Sequence, residues 1–262
     1  MIRSLYTGAT GMLAQQIQID TTSHNIANVN TIGYKKERAE FADLFYQAME
    51  YSGTATSSNT ISPTGIEVGL GVRPTAISKQ FTQGNFKETG NNLDLAITGN
   101  GFFQIQLPDG NIAYTRNGAF KLDSEGTIVN SDGYKLIPEI TVPEDAVAIS
   151  IGTDGTVSVK QAGNAEINQI GNIELANFIN PAGLHSIGDN NYVVTEASGD
   201  PIVGTPGLNG LGQIRQGFVE MSNVQLVEEM TDLITGQRAY EANSKVITTS
   251  DEMLQTVNGL KR

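Results

Sequence analysis

The chain has 262 residues, 29 of them glycine, with 39% apolar, only 17% charged and no tryptophan, which describes a turn-rich sequence able to bury one large or two smaller cores. It contains no cysteine, so disulfides, thiolate nucleophiles and most zinc sites are excluded. The formal net charge is −12, with residues 1–46 neutral, 216–262 at −3 and the centre at −9; such a surface repels phosphate backbones, and nucleic acid is set aside.

Taken in chain order, Leu5, Met12, Ile19 and Ile26 recur every seven residues. That repeat is the seam of a supercoiled helix and predicts one over residues 3–28, about 39 Å long. The cluster Asn25-Ile26-Ala27-Asn28-Val29-Asn30-Thr31-Ile32-Gly33-Tyr34-Lys35 then stops the helix and turns the chain. Phe41, Leu44, Phe45 and Met49 stand at helical spacing and predict a short helix or an extended arm. Residues 51–63 are almost entirely Ser, Thr, Gly and Asn and read as a flexible loop.

Between Ile66 and about Ile214 the period changes. Phe103, Ile105 and Leu107 alternate with polar residues before a Pro108-Asp109-Gly110-Asn111 turn, Val157 and Val159 alternate after Asp154-Gly155, and Tyr192 to Thr195 reads as another strand. Further turn signals fall at Asn117-Gly118, Glu125-Gly126, Asp132-Gly133 and Gly163-Asn164. Short strands at this spacing predict antiparallel β structure, a barrel or a sandwich.

The last forty residues return to the seven-residue step, with Leu226, Leu233, Tyr240, Ile247 and Leu254. They predict a helix of about 54 Å between Ser222 and Lys261. Ser222 and Gln225 have capping-box spacing, Glu228 and Glu229 occupy the first turns, and Gly259, Lys261 and Arg262 supply a stop. The predicted fold is therefore α+β. Terminal helices (1–30 and 217–262) form a coiled-coil domain, 31–68 is a connecting arm with a polar segment, and 69–216 is an inserted, mostly antiparallel β body.

Beside the apolar rungs run poorer columns: Ala9, Gln16, Ser23 and Asn30 at one end, Met230, Gln237, Ser244, Asp251 and Asn258 at the other. A polar seam position fixes register at a cost in stability, and an ionised Asp251 cannot be buried unpaired. Gly8, Gly11 and Gly236 each cost about 1 kcal/mol inside a helix unless another backbone must come close. Two readings follow: helices that gain order only among copies of themselves, or an amphipathic pair packed on its own domain with the polar column facing water.

No residue is assigned to catalysis, to a cofactor or to a metal. His24 and His185 are far apart in sequence and lack the spacing of a metal pair. The Asp-Gly turns lack the alternating carboxylates and final Glu of a calcium loop. Gly69-Leu70-Gly71, Gly99-Asn100-Gly101 and the glycines of 207–212 miss the dinucleotide and phosphate-loop patterns. No apolar run approaches a membrane span, and the N-terminus lacks the pattern of a cleaved secretory signal; no membrane insertion is expected.

The segment Asn25 to Lys35 resembles the N-terminal signature of the flagellar rod and hook axial proteins. Ala96-Ile97-Thr98-Gly99-Asn100-Gly101-Phe102-Phe103 and Tyr114-Thr115-Arg116-Asn117-Gly118-Ala119-Phe120 resemble that family's central β motifs. Gly217-Phe218-Val219-Glu220-Met221-Ser222-Asn223-Val224, with Gln237 to Lys245, resembles its rod members more than the hook. The polar stretch around Tyr46 to Val68, holding Tyr51, Thr60 and Pro63, resembles the extra segment of the distal-rod branch. The resemblance implies a non-catalytic structural subunit, without cofactors, that self-assembles into a helical tube and carries torque to the hook. It implies as partners copies of itself, other rod proteins, the hook protein, the outer-membrane and peptidoglycan bushing rings, and the flagellar type III export apparatus. Its implied location is the basal-body rod spanning the periplasm. The competing reading is a β-rich surface adhesin or phage-tail-like fibre, which predicts a closed oligomer with aromatic-lined grooves.

Overall fold

The computed structural model describes residues 2–53, 55–57, 60–61, 63–162 and 167–259. The Gly163-Asn164 turn and the terminal Lys261 and Arg262 lie outside the described residues. The chain divides into two compact units: Met1–Ala27, Glu37–Ser78 and Gln225–Arg262 make the first, Asn28–Lys36 and Lys79–Val224 the second. The segment expected as a connecting arm is thus shared between the two units.

The first unit holds both long helices, α1 (Ile2–Ala27) and α2 (Leu226–Gly259). They run antiparallel, since Ser4 meets Ser250, Gly8 meets Ile247, Gly11 meets Asn243, Ile19 meets Gly236 and Asn25 meets Glu229. The three glycines account for the closeness: a Cβ on Gly8 would stand 3.1 Å from Ile247 Cγ1, on Gly11 2.9 Å from Asn243 Nδ2, and on Gly236 3.2 Å from Ile19 Cγ1. The partner that comes near is in each case a side chain of the other helix rather than its backbone. α2 starts at Leu226, later than the capping-box spacing suggested. Ser222 instead accepts a hydrogen bond from the Val224 N–H at 3.2 Å, a local turn that precedes the helix.

Residues 37–49 are extended, not helical. Strand Glu37–Asp43 pairs with Val72–Lys79, and Tyr46–Glu50 pairs antiparallel with Ile66–Gly69. Of the two expected forms, short helix or extended arm, the structure takes the second: Phe45 and Met49 have no core to face and are exposed, and long-range strand pairing set the conformation. The pairing resumes beyond Tyr51 with Ala55 opposite Ile61 and Ser57 opposite Thr60. Within the segment read as a flexible loop, the described residues 55–57 and 60–61 thus pair as two short strands.

Among its described residues the second unit is built of β strands and turns, with one short 3-10 helix at Pro181–Gly183. Its largest sheet runs in the order Lys121–Leu122, Ile128–Val129, Lys135–Ile137, Phe102–Gln106, Ile112–Thr115, Asn191–Val193, His185–Gly188, with Leu175–Asn177 pairing the central Phe102–Gln106 strand and Ile202–Gly204. Alternation places Phe103 and Ile105 in one core with Leu95, Ile97, Phe120, Leu136, Val157, Val159 and Ile214. Phe102, from the same strand, points the other way into a second cluster with Tyr114, Phe178 and Tyr192. Residues 102–105 are buried on both faces, as expected of a strand at the centre of a layered body.

Candidate assembly surfaces

The helix pair presents two kinds of surface. Toward each other the helices offer small and polar groups, and at one end a polar clasp: Asn25 Nδ2 donates to Glu229 Oε2 at 3.1 Å and to Glu37 O at 2.8 Å, while Asn25 Oδ1 accepts from Glu37 N at 2.9 Å. Asn25 and Glu229 are each 1% exposed. Glu229 lies in the first turn of α2, where the helix dipole favours a carboxylate.

Of the seam residues, Leu5, Met12, Ile19, Ile26, Leu233, Ile247 and Leu254 are half-buried, whereas Leu226 and Tyr240 are largely exposed. The columns at Ala9, Gln16, Ser23 and at Met230, Gln237, Asp251 and Asn258 face outward. The column that meets the partner helix lies one residue earlier on α2, at Glu229, Gly236, Asn243 and Ser250. α2 leaves Val227 (79%), Met230, Ile234, Val246, Met253 and Val257 exposed, the first three on one side of the helix and Val246 and Met253 beside Ser4 of α1. An apolar groove of about 460 Å³ runs beside Ser4, Ala242, Val246, Ser250 and Met253. Apolar surface on this scale, left uncovered by its own unit, marks an interaction face.

The ribbon of Tyr46–Glu50 and Ile66–Gly69 adds a second such face. Phe45 is 88% exposed, and Tyr46, Met49, Tyr51 and Ile66 are exposed along it. Pro63 is exposed, and Thr60 contributes its backbone to the pairing with Ser57. A two-stranded ribbon is marginal in water without something packed on it.

Within the second unit, a buried charge cluster ties distant motifs together. Lys35 Nζ donates to Glu220 Oε1 at 2.7 Å and to Thr82 O at 2.8 Å; Arg116 Nη1 donates to Glu220 Oε2 at 3.4 Å; Gly84 N donates to Glu220 Oε1 at 2.9 Å. All three side chains are sealed from solvent. Burial pulls the Lys35 ammonium below its ordinary range, against the opposing attraction of Glu220. The segment carrying Lys35 is locked beside it, with Gly33 N donating to Glu220 O and Asn190 Nδ2 to Ile32 O. Asn223 accepts from Lys36 N and donates to the Gln80 and Thr82 carbonyls. Lys35, Arg116 and Glu220 lie in the family motifs, but nothing in their sequence spacing marks a role. The available signal was a lone Arg or Glu inside an otherwise apolar strand pattern, Tyr114-Thr115-Arg116 and Phe218-Val219-Glu220.

A chain whose two ends pair as long helices, with a β body inserted between them in sequence and exposed apolar side chains on the helices, is built as an axial protein of a self-assembling filament. Three family models match it in order: a flagella basal body rod protein model over residues 5–35, a flagellar hook protein FlgE/F/G D1 domain model over 96–159, and a flagellar basal body rod FlgEFG protein C-terminal model over 215–260. The chain belongs to the flagellar basal-body rod protein family. It is 51% identical over 260 residues to the flagellar basal-body rod protein FlgG of Buchnera aphidicola subsp. Schizaphis graminum, covering 99% of this chain and all of that one. It is 50% identical to FlgG of Borreliella burgdorferi and 42% identical to FlgG of Bacillus subtilis, each over the full length of both chains. These likenesses displace the adhesin or tail-fibre reading. No helix among the described residues is long and apolar enough to cross a membrane.

Proposed function

We propose that this chain is a structural subunit of the flagellar distal rod, stacking with copies of itself into a helical tube that carries torque from motor to hook. The observation that supports this most directly is the set of exposed apolar side chains on α2, beside a helix pair whose inner face is already closed by glycine, serine and asparagine together with Ile19 and Ile247. Burying one such side chain fully is worth about 1.5–3 kcal/mol, so six of them per subunit give copies ample reason to pack. On this reading Leu5, Met12, Ile19, Ile26, Leu233, Ile247 and Leu254 hold each pair together, and Leu226 and Tyr240 join the set that neighbours cover. The ribbon holding Tyr51, Thr60 and Pro63 packs between neighbours and stiffens the outer layer. The β unit forms that layer, where it meets the bushing rings; the rod's ends meet other rod proteins and the hook protein. The chain reaches its place by threading unfolded through the type III export apparatus.

The test is the full chain carrying Val227→Ser, Met230→Ser and Ile234→Ser. The expected outcome is unchanged helix content in dilute solution and loss of filaments on concentration, read by light scattering and electron microscopy. Filaments at the wild-type yield would overturn the role of this face.

A further inference from the structure

The charge cluster at Glu220 does not balance. Two cations, Lys35 and Arg116, converge on one carboxylate, and the ion pairs of both go to that same Glu220. Its oxygens are engaged, Oε1 by Lys35 Nζ and Gly84 N, Oε2 by Arg116 Nη1. Arg116, 3% exposed, gives Nη1 to Glu220 and Nη2 to the Gly99 carbonyl at 2.8 Å, and its buried Nε–H has no acceptor among the described residues. A buried donor left unsatisfied costs about 1–3 kcal/mol, and uncompensated buried charge costs more. The second penalty is relieved by an anion held close to the guanidinium.

The same arginine lines a cavity of about 210 Å³, together with the rings of Phe81, Phe102 and Phe178 and residues Asn100 and Asn177. The rings interlock edge to face, Phe81 to Phe102 at 5.4 Å and Phe102 to Phe178 at 5.7 Å between centroids. The guanidinium carbon of Arg116 lies 5.3 Å from the Phe102 ring centre, so the charge is held against an apolar wall. We propose that this cavity is a carboxylate-binding site: the unbalanced positive charge of the Arg116 guanidinium draws the anion, the asparagines stand beside it, and the three rings enclose a short aliphatic stem. The volume fits an acid of a few carbons. Such a group arrives either on an Asp or Glu side chain of a neighbouring copy, from a chain with 28 acidic residues, or as a small free carboxylic acid.

The experiment titrates isotope-labelled full-length protein in dilute solution with propionate and, separately, with propionamide, following the side-chain Nε–Hε resonance of Arg116. Propionate is expected to move that signal saturably and to bind about tenfold tighter than the neutral amide, the ratio a charge-assisted bond supplies. Asn100→Asp, which sets a fixed carboxylate at the exposed lining, is expected to abolish the propionate response while leaving the fold intact. Propionate that also slows filament formation identifies the neighbour's side chain as the natural occupant; binding without any effect on assembly assigns the site to a small free acid. An Arg116 signal that stays still, or that moves equally with propionamide, overturns the proposal. So does a propionate response that survives in the Asn100→Asp chain.

Discussion

Replacing Glu220 by alanine tests the energetic centre of the β unit. The carboxylate is fully buried and accepts from Lys35 at 2.7 Å, from Gly84 at 2.9 Å and from Arg116 at 3.4 Å. Removing it leaves two cations in a water-excluded site with no counter-charge, and breaking a buried ion pair from one side costs about 3–5 kcal/mol. A domain has about 5–15 kcal/mol of stability in all. At about 2–4 °C per kcal/mol for a body of this size, the transition should fall by about 6–20 °C. The assay is thermal and urea unfolding of the full chain followed by near-ultraviolet circular dichroism, to which the buried Tyr114 and Tyr192 of this unit contribute. A second variant guards against a trivial loss of packing. Lys35→Met combined with Glu220→Gln removes one cation with the anion, and should be less destabilised than the separate effects added together, with a coupling of about 0.5–3 kcal/mol. If Glu220→Ala unfolds within about 1 kcal/mol of the parent, the cluster is not what holds the Lys35 segment to the β unit, and the reasoning fails.

Other perturbations follow from the same geometry. Lys35 has its folded pKa depressed by burial, so between that value and the ordinary lysine range the unfolded chain binds more protons. Stability attributable to this group therefore rises with pH through that window and is lost as pH falls through the depressed value; the difference between parent and Lys35→Met in alkaline urea titrations should show this slope and vanish if Lys35 is unimportant. Gly33 has φ +71°, and a Cβ there would meet Asn117 N at 2.6 Å; Gly33→Ala should cost about 1–3 kcal/mol, whereas Gly110→Asn, at φ +85° with open space, should cost little, by urea midpoint. Asn25→Ala removes three buried hydrogen bonds between α1, Glu37 and Glu229; a loss of about 1–3 kcal/mol should appear as faster amide exchange in the first turns of α2, and unchanged exchange would show the clasp to be passive.

The two helices were legible because a seven-residue apolar repeat has only one local geometry that puts its members on one side. What the repeat could not reveal is which neighbouring column turns inward. Glu229 and Asn243 look like surface residues in sequence, and they face the partner because Asn25 and Gly11 make room and hydrogen bonds for them. The alternation at Phe103 and Ile105 was legible for the same local reason, and both sit in the core. Residues 37–49 left helix and extended arm both open, because helical spacing implies a helix only when the apolar side has something to pack on. The charge cluster was the least legible part, since Lys35, Arg116 and Glu220 come together only through the folding of the whole β unit. Side chains of those types carry no local mark of burial.

Lys35 and Glu220 are separated by 185 positions, and the intervening chain supplies nearly every strand of the β unit. Its closing bond thus joins the first and last pieces, and the entropy of so long a loop must be met before that bond can form. A chain emerging from a narrow conduit, whichever end leads, cannot make this contact until its trailing portion is also free. The β unit therefore closes only when both of its distant pieces are free, and the α1–α2 pair, whose contacts span 204 to 246 positions, waits longer still.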